Sequence, residues 1–158
     1  MQKDIKEAAY KYLEHRDHSA YEVRNHLKKK DFSDEEITDV LEFLVELHYV
    51  DDEKFCDSYI RYGISKGKGP IRLQQELGDK GISGDLVKLA LHEQLDSEVE
   101  KENAREQARK VLGTIDNLQS IEEKTLAKVA RRLTSLGYNT SVIYDVIVQL
   151  KTNIVINP

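Results

Sequence analysis

The sequence predicts an all-α protein in which three tandem three-helix repeats form an elongated, curved array. Two observations predict this fold class. The composition favours helices, since the 158 residues include only two prolines and eight glycines. In addition, one pattern of apolar residues and helix caps occurs three times, at offsets of 50 and 56 residues. Repeats that bury their apolar faces against their neighbours typically give an extended body.

The repeated pattern is anchored on Phe32, Ile82 and Tyr138. In each copy, apolar residues lie five positions before this anchor and five, eight and nine positions after it. The later positions have the i, i+3, i+4 spacing of one helix face, so each repeat is predicted to end with a helix that buries this face. The aligned sets are Leu27, Leu77 and Leu133, then Ile37, Val87 and Ile143, then Val40, Ala90 and Val146, and finally Leu41, Leu91 and Ile147.

A cap precedes this helix in all three copies, where Ser33, Ser83 and Asn139 directly follow the anchor. Their side-chain oxygens can accept hydrogen bonds from the free N–H groups of the first helical turn. The anchor before each cap can pack against the apolar residue five positions later, as a hydrophobic staple. Glu36 also completes a capping box with Ser33. Three matched caps indicate a repeat, not merely a helix-rich composition.

The other helices have start signals of their own. A helix is predicted over residues 4–15, and Ser19 with Glu22 starts the next. Asp51 caps a helix over 52–65.

Pro70 starts the following helix, because its missing N–H costs nothing at the first helical position. In the third repeat we predict a helix over 97–112 and another that is capped by Ser120 with Glu123. The predicted division of the chain is repeat one at 1–50, repeat two at 51–96, repeat three at 97–152 and a tail at 153–158.

The composition also limits the cellular setting. No apolar run approaches the roughly 20 residues that span a bilayer, and the first residues lack the apolar segment of a signal peptide. The single cysteine, Cys56, cannot form an intramolecular disulfide and suits a reducing compartment. We therefore expect a cytoplasmic protein with no membrane partner, and we expect a monomer.

One basic stretch stands out in a chain whose formal net charge is -5. Residues 58–75 contain four cations and no acidic residue. The Lys66–Pro70 segment lies between two helices, and the N–H groups at a helix start favour a phosphate. We predict that this stretch contacts nucleic-acid phosphates or an acidic protein surface. The alternative is a solvated turn whose glycines permit a tight bend. The four cations are Arg61, Lys66, Lys68 and Arg72.

Further cations are candidates for the same contact with DNA or protein. Lys128, Arg131 and Arg132 lie at helical spacing in the third repeat, and Lys80 follows the basic stretch. The alternative for the third-repeat set is a solvated helix face, since acidic residues are nearby. The glycines of the stretch do not have the spacing of a nucleotide-binding P-loop.

Residue types that could carry catalysis or bind metal have simpler explanations. His15, Asp17 and His18 lie at a helix break with no further ligand nearby. Asp51 and its acidic neighbours suit a helix N-terminus. Cys56 has no evident histidine partner and is expected to be a buried thiol. We predict no enzyme activity, no cofactor and no metal site.

Three segments, in order, resemble the RecX regulatory proteins of bacteria: YLEHRDHSAYEVRNHL, VDDEKFCDSYI and KGKGPIRLQQELGDKGIS. The resemblance covers about residues 8–95 with specific motifs and extends through the third repeat by pattern. It implies tandem three-helix repeats. It also implies binding to the RecA recombinase filament on DNA, with reduced strand exchange, ATP turnover and co-protease activity.

The sequence departs from that family at three places. Asp31 stands where a glycine usually ends the helix, and Cys56 stands where alanine is common. Tyr62 and Gly63 replace a place where members often carry another arginine, which thins the basic cluster.

Salt dependence indicates how strongly the chain alone would hold DNA. Neutralising about four phosphates on a single strand would weaken binding on the order of 50-fold between 50 and 200 mM salt. We therefore expect weak binding to free single- and double-stranded DNA, with the RecA filament as the main partner. Two alternatives stay open, a stand-alone nucleic-acid-binding module and a general helical-repeat adaptor.

Overall fold

The computed structural model describes residues 4–113 and 121–156, with side chains described as far as residue 152. These residues form nine α-helices and contain no strand, which confirms the all-α prediction. In chain order the helices are α1 Ile5–Leu13, α2 Ala20–Lys29, α3 Asp34–Glu46, α4 Asp52–Ser65, α5 Pro70–Asp79, α6 Gly84–Gln94, α7 Ser97–Leu112, α8 Glu123–Leu136 and α9 Thr140–Ile156.

Side chains that cap the N-termini explain where several helices begin. Ser19 and Glu22 form a capping box at α2, and Ser33 and Glu36 form another at α3. In each, the serine hydroxyl accepts from the third helical N–H while the glutamate accepts from the serine N–H. Two donors that a helix leaves unpaired are satisfied in this way.

Three further helices begin after similar signals. Asp51 Oδ1 accepts from the Lys54 N–H at 3.1 Å before α4, and Ser83 Oγ accepts from the Leu86 N–H at 3.3 Å before α6. Pro70 is the first residue of α5. Glu122 precedes α8 without a side-chain cap, while the predicted cap Ser120 lies outside the described residues.

The internal repeat is also present in the backbone geometry. At Asp31, Gly81 and Gly137, which are 50 and 56 residues apart, φ is 69°, 77° and 94°. The residue after each donates its N–H to a carbonyl five positions earlier, which is the Schellman arrangement at a helix C-terminus. These bonds are Phe32 to Leu27 at 3.3 Å, Ile82 to Leu77 at 3.1 Å and Tyr138 to Leu133 at 3.2 Å.

The chain divides into two compact units. Unit one comprises residues 1–59 and 76–88, and unit two comprises residues 60–75 and 89–158. These units differ from the three predicted repeats, whose boundaries stay a prediction from the sequence. In unit one, α1, α2 and α3 enclose an apolar core that consists of Ala9, Val23, Leu27, Ile37, Val40, Leu41, Leu44 and Val50.

The core of unit two lies among α7, α8 and α9. Buried side chains from α8 recur at three- and four-residue intervals, as expected for a helix with one apolar face. α9 continues to Ile156, so residues 153–156 of the predicted tail are helical. The core residues are Ala104, Ala108, Leu112, Val129, Leu133, Leu136, Tyr138, Val142 and Val146.

A polar cluster in unit one surrounds Glu22. The Arg16 guanidinium donates to both Glu22 carboxylate oxygens, at 2.8 and 3.2 Å, and the Lys80 ammonium lies 3.7 Å from the same carboxylate. Burial acts to raise the pKa of Glu22, but the hydrogen bonds from Arg16 and from the Ser19 N–H outweigh it and lower the pKa to about 2. Glu22 therefore stays ionised and holds the cluster together.

Two histidines flank Tyr12 in the same unit. The rings of His18 and His26 stack on the Tyr12 ring, with centroid distances of 3.8 and 3.9 Å. Burial, followed by the charge of Arg16, lowers the pKa of His18. Burial and the nearby lysines lower the pKa of His26. Both imidazoles are thus neutral in the folded chain at neutral pH.

These pKa shifts predict acid sensitivity. Because both histidines bind protons more weakly in the folded chain, the unfolded chain takes up more protons as the pH falls through about 6.5. We expect the free energy of unfolding to decrease from about pH 7.5 to about pH 5.5. Urea unfolding at several pH values should show a shallower dependence for His18→Gln/His26→Gln.

The matched control is His15→Gln/His92→Gln, since both of these histidines are exposed. This variant should keep the pH dependence of the parent chain. An equal loss of slope in both variants would contradict the assignment to the stacked pair.

The positive φ at Asp31 predicts a stabilising substitution. Asp31→Gly should raise the free energy of unfolding by roughly 0.5–1 kcal/mol, because a side chain is disfavoured in the left-handed region. Glu42→Gly, at an exposed position inside α3, should lower it by a similar amount. Thermal or urea unfolding of both variants measures this difference, and a destabilised Asp31→Gly would show the expectation to be wrong.

Candidate functional site

The basic stretch forms a tight turn between α4 and α5. The N–H groups of Lys66 and Lys68 both donate to the Gly63 carbonyl at 3.0 Å. Gly67 has a φ of +84°, a conformation that favours glycine. The turn therefore has a defined backbone, which fixes where its lysine side chains begin.

This turn packs end-on against α8 within unit two. The Gly69 N–H donates to the Leu136 carbonyl at 2.7 Å, and the Ile71 N–H donates to the Gly137 carbonyl at 2.9 Å. A Cβ on Gly69 would lie 2.5 Å from the Gly137 carbonyl group, so a side chain does not fit there. The N-terminus of α5 thus meets the C-terminus of α8, and their opposite dipole ends attract each other.

This packing bears on one prediction. We expect from the sequence that free N–H groups at the start of α5 bind a phosphate. However, Gly69 and Ile71 donate their N–H groups to α8, and Pro70 has none. These two N–H groups are therefore not available to a phosphate. An anion at this surface would depend mainly on the basic side chains, which stays a prediction.

Tyr138 and Glu100 hold the packed turn in place. The buried Tyr138 hydroxyl donates to the Gly67 carbonyl at 2.7 Å. Burial, together with the charge of Glu100, raises the pKa of Tyr138 to about 12. Glu100 is itself 5% exposed and accepts from the Asn139 backbone N–H and from its side-chain amide, at 2.9 Å each. Asn139, a predicted cap, lies directly before α9 and is bound to α7 in this way.

Sequence reasoning misses the roles of Tyr138 and Glu100. One signal was available, since Tyr138 carries a hydroxyl where the aligned anchors Phe32 and Ile82 are hydrocarbon. A buried hydroxyl requires a hydrogen-bond partner, and here the partner is a backbone carbonyl of the turn. No comparable signal in the sequence links Glu100 to Asn139.

The four cations of the stretch lie at different places around this turn. Arg61 and Lys66 are exposed, and the Lys66 ammonium lies 5.4 Å from the centre of the Tyr62 ring. Five positions along a helix correspond to about 140° of rotation, so Arg61 and Lys66 leave α4 in different directions. Lys68 and Arg72 are half-buried, and the Arg72 Cβ packs against Gly137.

The third-repeat cations lie on the helix that receives the turn. Lys128, Arg131 and Arg132 are exposed on α8. Lys128, Arg132 and Leu136 form one i, i+4 row, and the Leu136 carbonyl is the acceptor for Gly69. Arg132 therefore lies about 6 Å along the axis from the end that meets the turn. Two basic groups that are about 60 residues apart in the sequence are brought to one part of unit two.

Lys80 has a different environment. It belongs to unit one, where its ammonium lies 3.7 Å from Glu22 and 5.6 Å from the centre of the Tyr59 ring. Its carbonyl accepts from the Ser19 hydroxyl at 2.7 Å. These contacts give Lys80 a structural role within its unit.

Groups that could bind metal or act as nucleophiles are few in the part of the chain that is described. Residues 4–113 and 121–156 hold no group of three or more His, Cys, Asp and Glu side chains that could bind a metal ion. Cys56 is buried, and this burial raises the pKa of its thiol to about 11. The thiol is therefore protonated and a poor nucleophile at neutral pH. Among these same residues, no helix is long and apolar enough to span a bilayer.

The close approach at Gly69 predicts a large effect of one methyl group. Gly69→Ala should lower the free energy of unfolding by about 2–3 kcal/mol, because the new Cβ meets backbone atoms that cannot move without separating α5 from α8. The matched control is Gly78→Ala in α5, where a Cβ meets no atom within 4 Å. Urea unfolding should show no loss for the control, and an equal loss in both variants would contradict the packing.

Comparison with known proteins matches two parts of the chain to family models. Residues 6–44 match the model described as "RecX, first three-helix domain". Residues 51–91 match "RecX, second three-helix domain". Together the two models cover nearly all of α1–α3, all of α4 and α5, and most of α6.

Curated relatives with the name "Regulatory protein RecX" match more of the chain. The protein from Vibrio vulnificus is 32% identical over 135 residues, which cover 85% of this chain and 84% of the relative. The protein from Oceanobacillus iheyensis is 32% identical over 156 residues, which cover 96% of this chain and 56% of the relative. The protein from Legionella pneumophila is 37% identical over 91 residues, which cover 58% of this chain and 61% of the relative. The chain thus spans somewhat over half the length of the last two relatives.

Two solved structures have the same fold. The crystal structure of RecX from Lactobacillus salivarius gives a TM-score of 0.81 at 23% identity, covering 94% of this chain and 95% of the other. A second, "Crystal structure of regulatory protein RecX", gives a TM-score of 0.75 at 30% identity, and the match covers 92% of this chain and 72% of the other. The likeness in fold therefore includes α7–α9, which the family models do not reach.

Proposed function

Because this chain belongs to the RecX family of regulatory proteins, we propose that it binds the RecA recombinase filament on DNA and restrains it. In this proposal the chain is not an enzyme. It reduces strand exchange, ATP turnover and co-protease activity by occupying the filament. The observation that carries the DNA contact is the packing of the α4–α5 turn on α8, which places Lys66 and the α8 cations in one part of unit two.

The charge distribution supports a filament over free DNA as the target. The chain has a net charge of -5, so long-range attraction to DNA is absent. A few phosphate contacts give binding that falls steeply with salt. A protein surface that holds the chain near DNA would supply the missing affinity.

The mechanism that follows is steric. A chain of helical repeats lies in the groove of the filament and bridges neighbouring protomers, while the basic surface contacts DNA phosphates. The chain must then be displaced before strand exchange, or growth at the filament end, can proceed. The chain acts as a monomer in the cytoplasm, and its three predicted repeats supply the length that spans protomers.

Charge reversal on α8 tests this proposal. Lys128→Glu/Arg132→Glu should weaken co-sedimentation with RecA filaments on single-stranded DNA by at least about tenfold, and the slope of log affinity against log salt should fall by about 1.4. The matched control is Lys54→Glu/Lys88→Glu, which changes the charge equally at two exposed positions of unit one. The α8 variant should also inhibit filament ATPase less than the control variant does.

Each alternative gives a different result. Equal affinity of the parent chain for naked DNA and for filaments would favour a stand-alone nucleic-acid module. No change in filament ATPase at several-fold excess of the chain would favour a general adaptor. Equal loss in the α8 variant and in the control would remove the basic surface from the proposal.

A further inference from the structure

The outer side of α3 in unit one is strongly acidic. Residues 31–53 contain ten Asp and Glu and no Lys or Arg. Four exposed carboxylates lie at i, i+4, i+7 and i+11, which places them within a narrow stripe along the helix. None of the four forms an ion pair with the residues that the structure describes. We call them the acidic stripe: Glu35, Asp39, Glu42 and Glu46.

Large apolar side chains are exposed where this stripe ends. Val45 is 49% exposed, Leu47 is 47% exposed and Tyr49 is 56% exposed. The Tyr10 ring meets the Tyr49 ring edge-on at 5.8 Å and is itself 39% exposed. Single exposed apolar residues are common on protein surfaces, but exposed apolar side chains that contact one another, as Tyr10 and Tyr49 do, are typical of an interaction site.

A cavity of about 370 Å³ lies beside this apolar group. Its lining consists of Ala20, Val45, His48, the buried Val50 and the two carboxylates of Asp51 and Asp52. Asp51 accepts from the Lys54 N–H, and Asp52 accepts from the Ala20 N–H at 2.9 Å, so both are held in position. The cavity thus has both apolar and acidic lining residues, which suits a large apolar side chain with basic neighbours.

We propose that the acidic stripe and this cavity form a docking surface for a cationic amphipathic helix of a partner protein. Lys or Arg side chains at i, i+4 and i+7 of that helix pair with the stripe, and one large apolar side chain enters the cavity. This inference rests on the proposed function for the identity of the partner, the recombinase filament. The chemistry of the surface is independent of it.

The charge argues against a nucleic acid as the occupant. Ten carboxylates within 23 residues repel phosphates. The four cations of residues 58–75 belong to unit two, whereas the acidic stripe belongs to unit one. Complementary charge on a second copy of this chain is the competing occupant.

A synthetic peptide tests the surface directly. The probe is a fluorescein-labelled helical peptide of about 16 residues, with lysines at i, i+4 and i+7 and one phenylalanine near its end. A scrambled peptide of equal composition is the reference. Fluorescence anisotropy with the full chain should show at least tenfold tighter binding of the patterned peptide, and amide NMR shifts should be confined to α3 and residues 45–53.

Two substitutions with matched controls locate the contact. Glu42→Lys and Val45→Ser should each weaken peptide binding at least about fivefold, while Glu93→Lys and Leu89→Ser should leave it unchanged. All four positions are exposed, so the variants should fold. Equal binding of both peptides, or equal loss in variants and controls, would overturn the docking surface.

The partner is tested separately. Co-sedimentation with RecA filaments should weaken for Glu42→Lys and Val45→Ser, and unchanged co-sedimentation would overturn the filament as the occupant. Sedimentation velocity that shows self-association of the parent chain and its loss in these variants would assign the surface to a second copy and overturn the proposal. If the parent chain fails to restrain filaments while the peptide binds as expected, the proposed function falls and the docking surface stands.

Discussion

One hydrogen-bonded joint between helix ends recurs in this protein, and the arrangement of each unit depends on it. In unit two, the Gly69 N–H donates to the Leu136 carbonyl at 2.7 Å. In unit one, the Ser19 hydroxyl donates to the Lys80 carbonyl, also at 2.7 Å. Gly69 lies 50 residues after Ser19 and Leu136 lies 56 after Lys80, which are the offsets of the repeat. Each joint places the start of a second helix against the end of its counterpart in the next repeat. The residue after each acceptor is a left-handed glycine, which lets the two chains approach.

The side chains around the joint differ between the two units. In unit two the bonds between the helix ends join backbone atoms, the Tyr138 hydroxyl also binds the turn, and Lys66 and the α8 cations are exposed. In unit one the residues around the joint include Glu22, which engages Arg16 and Lys80. Arg16 is therefore held by an ion pair in unit one, whereas Lys66, which lies 50 residues later in unit two, is exposed. The proposed contact with DNA follows from this difference.

Acidic and basic residues are segregated along the chain in a way that suits two kinds of partner. The ten carboxylates of residues 31–53 and the cations of residues 58–75 are close in sequence but belong to different units. In the proposed function, the net negative charge of the chain makes its own attraction to DNA short in range and screened by salt. A regulator that acts only where DNA is coated with protein would have this property. On such a filament, the acidic stripe and the neighbouring cavity would have a protein surface to contact.

The sequence by itself determined the helices, the repeat and the family, because these depend on local signals. Caps such as Ser33, the staple of Phe32 with the following helix, and the i, i+3, i+4 faces act over a few residues and can be read in order. The family resemblance is confirmed for the same reason, since its motifs are continuous segments. Only the tertiary structure decided which backbone N–H groups of the α4–α5 turn are already hydrogen-bonded. The N–H groups at the start of α5 donate to carbonyl groups at the end of α8, more than 60 residues away in the sequence. The Tyr138 hydroxyl donates to a carbonyl of the turn that is 71 residues away. Such pairings depend on how helices pack, and no local pattern encodes which donor meets which acceptor.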